Sequence, residues 1–174
     1  PSAMNTLIEG YKTAGLFDAA LQLTRTFISK FPDDESVQDK RIDIGVLYEK
    51  LGYHDQSILH FQNLLEDADS DVEAEIRYYV GEAYFGKAEY ERAILEFLKV
   101  PYLVTKKGRV DWTPNAFYMS GQAYEKMGKY DQAIGMYQQI VERPGIDQTF
   151  KAAAQKEIDR VNALVKKPAR RPGE

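Results

Sequence analysis

The sequence repeats itself, and the clearest unit runs from Asn115 to Gly145. In its first half Phe117, Ser120, Gly121 and Tyr124 fall three and four residues apart, which puts them on one helical face. Gly121 leaves that face open to a neighbouring helix. Thr113 ahead of Pro114 reads as the start, because a hydroxyl can accept an orphan amide hydrogen bond and proline is tolerated in the first turn. Gly128 ends the helix, since glycine enters the left-handed conformation at little cost. The second half sets Tyr130, Ala133, Ile134, Tyr137, Ile140 and Val141 on one stripe, and Arg143-Pro144-Gly145 terminates it. The unit is a helix, a tight turn and a helix.

The same template can be laid over the chain three more times. The first copy carries Tyr11, Gly15, Phe17, Ala20, Leu21, Phe27 and Pro32, with Ile8 where glycine belongs and Thr24 where an aromatic belongs. A degenerate outer repeat, or a truncated one, accounts for both. The second follows Pro32-Asp33-Asp34 and carries Gly45, Tyr48, Gly52, Ile58, Phe61 and Leu64, with Ser57 in the alanine slot. The third has Gly81, Tyr84, Tyr90, Ala93, Ile94, Phe97 and Val100. Ser70 with Glu73 forms a capping-box pattern before it, and Ala88 stands at its turn in place of glycine. Copies are offset by 37 residues (Tyr11 to Tyr48), 36 (Tyr48 to Tyr84) and 40 (Tyr84 to Tyr124), so the last interval holds an insertion, Pro101 to Thr113. Its apolar residues Tyr102, Leu103, Val104 and Trp112 are expected to fold back onto the third and fourth copies. Asp147 can cap a last helix whose stripe is Phe150, Ala153, Ala154, Ile158, Val161, Leu164 and Val165.

The slots Phe117, Ser120-Gly121, Tyr124, Ala133, Tyr137 and Pro144 resemble the tetratricopeptide signature, with Ser120 replacing its leucine. That resemblance implies an all-α, right-handed superhelix, an α-solenoid of four helix-turn-helix repeats at about 1–34, 38–71, 74–107 and 114–147. A capping helix at about 148–165 and a disordered basic tail at 166–174 complete the expected layout. The segments Arg77 to Val100 and Phe27 to Asp34 also resemble bacterial cell-envelope tetratricopeptide proteins, namely the Tol-Pal cell-division coordinator and the outer-membrane assembly lipoproteins. This implies a periplasmic or cell-envelope location ahead of a cytoplasmic one. Family members that clamp a chaperone's C-terminal carboxylate use lysine, arginine and asparagine at inner positions that here read Ile42, Val46, Tyr79 and Met119. A chaperone clamp is not expected.

Composition narrows the chemistry. A formal charge of −4 argues against a nucleic-acid module, and the absence of cysteine removes disulfides, thiol catalysis and cysteine metal sites. No run approaches the roughly 18 apolar residues that span a bilayer. Membrane attachment would come only through a partner or a missing N-terminal segment, and Pro1-Ser2-Ala3-Met4 reads as a non-native leader. The two histidines, His54 and His60, lack a third ligand, and His54 occupies a slot that elsewhere reads Phe17, Tyr90 and Tyr130. No catalytic group, metal site or cofactor is expected.

What remains is recognition. First helices of such repeats line a concave face, and the side away from each core stripe gives the groove. It comprises Asp39, Ile42, Val46 and Glu49, then Glu75, Tyr78, Glu82 and Phe85, then Asn115, Tyr118, Gln122 and Glu125. Aromatic and apolar side chains flanked by glutamates suit a protein or peptide segment with apolar anchors and basic flanks. The alternatives are a self-assembly module, giving a homo-oligomer through the first repeat or the Trp112 insertion, and a targeting domain of a larger protein.

Overall fold

The computed structural model describes residues 1–66, 68, 70–103 and 110–166, with the backbone alone at 70 and 71. Among these residues the chain forms α1 (Ser2–Thr13), α2 (Phe17–Lys30), α3 (Val37–Lys50), α4 (His54–Glu66) and α5 (Ser70–Gly86). Then follow α6 (Tyr90–Phe97), a 3-10 turn (Val100–Tyr102), α7 (Thr113–Lys126), α8 (Tyr130–Glu142) and α9 (Gln148–Lys166). Each helix packs on the next, and α5 also touches α3 and α7, which is the contact pattern of a solenoid of helix pairs.

Within a pair the hairpin turns on a left-handed residue. Gly15, Gly52 and Gly128 take φ of +73°, +77° and +71°, and Ala88 does the same work at φ +60° with a Cβ in place. The two helices then approach through a gap and a ring. Gly45, Gly81 and Gly121 are buried under the aromatic rings of Phe61, Phe97 and Tyr137, which are themselves fully buried. Ala20, Ala93 and Ala133 are fully buried at the crossings, and Ser57 at the equivalent place donates to the Gly45 carbonyl at 2.9 Å. The polar substitution is satisfied internally.

Several local expectations are corrected. The first turn of α7 is capped by Asp111, whose Oδ1 accepts from the Thr113 amide at 2.9 Å; Thr113 is already helical and buried. On α9 the buried stripe is narrower than its periodicity implies. Ala154, Ile158 and Val161 pack against α8, whereas Phe150, Leu164 and Val165 are exposed. Asp147 does cap α9, accepting from the Thr149 amide at 2.7 Å. In the insertion Trp112 and Leu103 pack against the third repeat, but Tyr102 is 88% exposed. Val104, the Ser70 capping side chain and residues 167–174 of the tail lie outside the described residues.

Candidate functional site

The odd-numbered helices lie side by side and form one face, into which three hollows are set. The first, of about 420 Å³, is bounded by α1, α3, α5 and the end of the insertion. Its apolar lining includes Ile42, Val46, Tyr79 and Trp112, with Asp39 and Glu75 beside them. The second, of about 410 Å³, lies between α5, α7 and α9, lined by Phe85, Gln122, Glu125, Lys126 and Arg160. A smaller third hollow of about 200 Å³ joins the same three helices one or two turns nearer their N-termini. Tyr78, Asn115, Tyr118, Met119, Phe150 and Ala153 line it.

Ten of the twelve groove positions read from the sequence therefore line a hollow, and Glu49 and Glu82 lie on the same two helices, α3 and α5. Their exposure differs from expectation at two places. Ile42 and Tyr78 are only 4% and 6% exposed: they belong to the core and reach the hollows with an edge. Tyr78 is held between Trp112, at 4.8 Å between ring centroids, and Phe97 at 5.6 Å. Trp112 also meets Tyr79 at 5.3 Å, so the insertion wedges an indole between the inner face and the third core. Sequence reasoning put Trp112 in a loop and missed it as a groove wall. It also missed Phe150, Ala153 and Arg160, because α9 lies alongside α7 and supplies a fifth inner helix rather than only a lid.

The acidic groups are not equivalent. Glu49 Oε2 lies 2.8 Å from His54 Nδ1, and the His54 ring fills the space a side chain on Gly86 would need. Glu125 accepts from Arg160 Nη2 with both oxygens at 2.7 Å and from the Tyr137 hydroxyl at 2.7 Å. Lys12 and the buried Lys40 both pair with Asp43 and Glu9, bridging α1 to α3. Burial alone would push Lys12 down, but its bonds to Asp43 and Glu9 outweigh it and hold the amine above the ordinary lysine range.

Glu82 differs. Its Oε1 accepts from the Tyr78 hydroxyl at 3.0 Å, and among the described residues no cation pairs with it. Burial pushes its carboxyl up, the Tyr78 bond and the Lys50 charge oppose this, and Glu49 adds to it. Burial, followed by the Glu82 charge, raises the Tyr78 hydroxyl as well.

His60 is structural, with Nε2 2.7 Å from the Arg41 carbonyl and its ring against Tyr48 and Phe61. Among the described residues no group of three or more His, Asp or Glu is placed to hold a metal ion, and no helix is long and apolar enough to cross a membrane.

Comparison with known proteins is consistent with this architecture. The tetratricopeptide repeat family model matches residues 115–145. No curated protein matches the sequence. Among solved structures, a kinesin light chain-like protein of nearly identical TPR-like repeats from Podosopora anserina superposes with a TM-score of 0.71 at 13% identity, over 94% of this chain and 86% of that one. MamA gives 0.59 at 21% identity over 91% and 94%. A tetratricopeptide repeat protein from Parabacteroides merdae gives 0.62 at 12% identity, over 94% of this chain and 60% of that one. At these identities the likeness is one of fold. With a repeat of this family matched at 115–145 and the same helix-pair superhelix around it, the chain has the fold of a tetratricopeptide-repeat solenoid.

Proposed function

We propose that this chain is a non-enzymatic interaction scaffold that holds a peptide or protein segment along its inner face. The observation that carries the reading is the run of three hollows between the odd-numbered helices, in which partly exposed Val46, Tyr118 and Met119 stand beside carboxylates. Apolar side chains of a partner would be desolvated there, and its cations would meet an acidic surround. The resemblance of Arg77 to Val100 to envelope proteins supports a place in bacterial cell-envelope assembly. The test is affinity capture from soluble and membrane extracts, comparing the parent with a Val46→Arg, Tyr118→Arg double variant. The captured protein's segment is then titrated by calorimetry. Binding by the parent and loss in the variant is the expected result. Equal retention by both overturns the reading.

A second reading, self-association, rests on a separate patch. Leu95 and Tyr102 are 63% and 88% exposed and share a shallow apolar depression with Leu98 and Leu103. Sedimentation over a range of concentrations tests it: a mass that rises in the parent and stays monomeric in Leu95→Ser, Tyr102→Ser would support it.

A further inference from the structure

Two features of the inner face meet at one residue. The ring of Tyr78 forms part of the third hollow with Tyr118, Met119 and Phe150, while its hydroxyl donates to Glu82 Oε1 at 3.0 Å. The hollow, of about 200 Å³, is lined chiefly by hydrocarbon and has room for one large apolar side chain. Phe150, exposed at the first turn of α9, forms one wall of it, with Ala153 one turn on. One turn along α5 from Tyr78, Glu82 is half-buried, and its second oxygen, beyond the one that accepts from the Tyr78 hydroxyl, has no hydrogen-bond partner among the described residues. Of the basic groups on the same face, Arg160 is engaged by Glu125 and Glu157 and the His54 ring by Glu49, and Lys50 acts on Glu82 through its charge without an ion pair. Phe85, the next inner residue on α5, offers a flat apolar surface for an aliphatic stem.

Resting on the scaffold reading above, we propose that Glu82 and the Tyr78–Tyr118–Phe150 hollow form a two-part recognition site for an extended segment carrying a lysine or arginine close to a large apolar residue. The apolar side chain enters the hollow, and the cation pairs with the second oxygen of Glu82. The centre of the Tyr78 ring lies about 3 Å from its own hydroxyl and the bond to Glu82 adds 3.0 Å, which together approach the roughly 6.7 Å between residues i and i+2 of an extended chain, whose side chains point the same way. The two anchors are therefore separated by one residue. A cation here recovers what burial takes from the Glu82 carboxylate, because it gives a direct ion pair to a desolvated charge that Lys50 offsets only through its field. The raised proton affinity of Glu82 agrees with that unmet demand.

The probe is a phage-displayed random dodecapeptide library, selected on the parent and then re-measured as synthetic fluorescent peptides by anisotropy. Glu82→Gln keeps the shape and the Tyr78 bond while removing the charge; Ala153→Trp fills the hollow from an exposed helix position. The expected result is enrichment of an apolar residue one position removed from Lys or Arg. Glu82→Gln should weaken such peptides roughly tenfold or more and flatten their salt dependence. Ala153→Trp should weaken them roughly tenfold with the salt dependence retained. Circular dichroism checks that both variants are folded. Selected peptides that bind parent and both variants alike, yet are lost on Val46→Arg with Gln122→Arg, would overturn this site and leave the scaffold reading standing. No enrichment on the parent over that groove-blocked variant would count against both.

Discussion

Gly121 has no room for a side chain because the ring of Tyr137 occupies the space: a Cβ built there would stand 2.6 Å from Tyr137 Cε1 and Cζ. The same spacing of sixteen residues joins Gly45 to Phe61 and Gly81 to Phe97, where the approach would be 2.3 and 2.5 Å. Each of these three repeats is closed by one ring laid on one bare backbone. The ring cannot retreat, since Tyr137 is fully buried and its hydroxyl is tied to Glu125. Gly121→Ala should cost about 1–3 kcal/mol, and Gly121→Leu at least the upper end of that range, read from urea denaturation. Parent-like stability in either would overturn this account of how the pairs close.

The first repeat departs from the rule in a compensated way. Ile8 stands in the glycine slot and Thr24, sixteen residues on, in the ring slot, and both are fully buried. The Thr24 hydroxyl is satisfied by the Ala20 carbonyl at 2.8 Å. Volume removed from one helix is returned on the other. Thr24→Phe alone should overpack and Ile8→Gly alone should leave a cavity, each costing about 2 kcal/mol or more. The double variant, which restores the pattern of the other repeats, should recover at least about 1 kcal/mol of their sum. Simple additivity would show that the two positions do not share a site.

At the third hairpin an alanine is held where the other three repeats use glycine, at φ +60°. A Cβ in this region carries a steric cost of about 1 kcal/mol. Ala88→Gly should therefore stabilise the protein by up to that amount, less the extra entropy glycine brings to the unfolded chain. A fall in thermal midpoint would show that the Ala88 methyl makes a contact worth more than the strain.

How far the sequence was legible depends on the range of the interaction. Gly15, Gly52 and Gly128, the buried Ala133 and the Asp147 cap follow from rules acting within a turn or two of the chain, and each stands where the periodicity puts it. The inner side of α3, α5 and α7 follows too, because it is the complement of a core stripe. Burial at Tyr78 does not follow, since it is set by Trp112, thirty-four residues away along an insertion with no template. Nor does the fate of the glutamates. Glu125 looks like any groove acid until α9 delivers Arg160 to it, and Glu49 until His54 turns back across the hairpin.

Trp112 is the chain's only tryptophan, so the insertion carries its own reporter. The indole lies against Tyr78 and Tyr79 and is partly buried. Trp112→Ala should destabilise the protein by about 2–3 kcal/mol through loss of that contact, which distinguishes a structural wall from a dispensable loop. In the parent, the red shift of tryptophan emission on adding urea should coincide with loss of helical ellipticity. A fluorescence change that precedes helix loss would mean that the insertion detaches from the inner face while the solenoid is still folded.

The inner face also predicts a pH dependence with a definite sign. Burial is the main cause that raises the Glu82 carboxyl above the ordinary glutamate value of 4.5, with Glu49 adding to it and the Tyr78 bond and Lys50 opposing. Between the unfolded and the raised folded value, the folded state holds more protons than the unfolded state. Stability therefore falls as pH rises through that window, and at neutral pH the protein keeps an ionised, desolvated carboxylate at a net cost. Glu82→Gln removes the charge, and its amide oxygen can still accept from the Tyr78 hydroxyl. The variant should be more stable than the parent at pH 7. The gap should close as pH falls below about 4.5, where the parent's own carboxyl is protonated in both states. Thermal midpoints of both proteins across that range supply the test. A parent as stable as the variant at pH 7 would mean that the Tyr78 bond outweighs burial. A gap that persists unchanged to low pH would locate the difference in packing rather than charge. The expected pattern is that of a side chain kept for what it meets on the inner face, because folding alone would favour the amide.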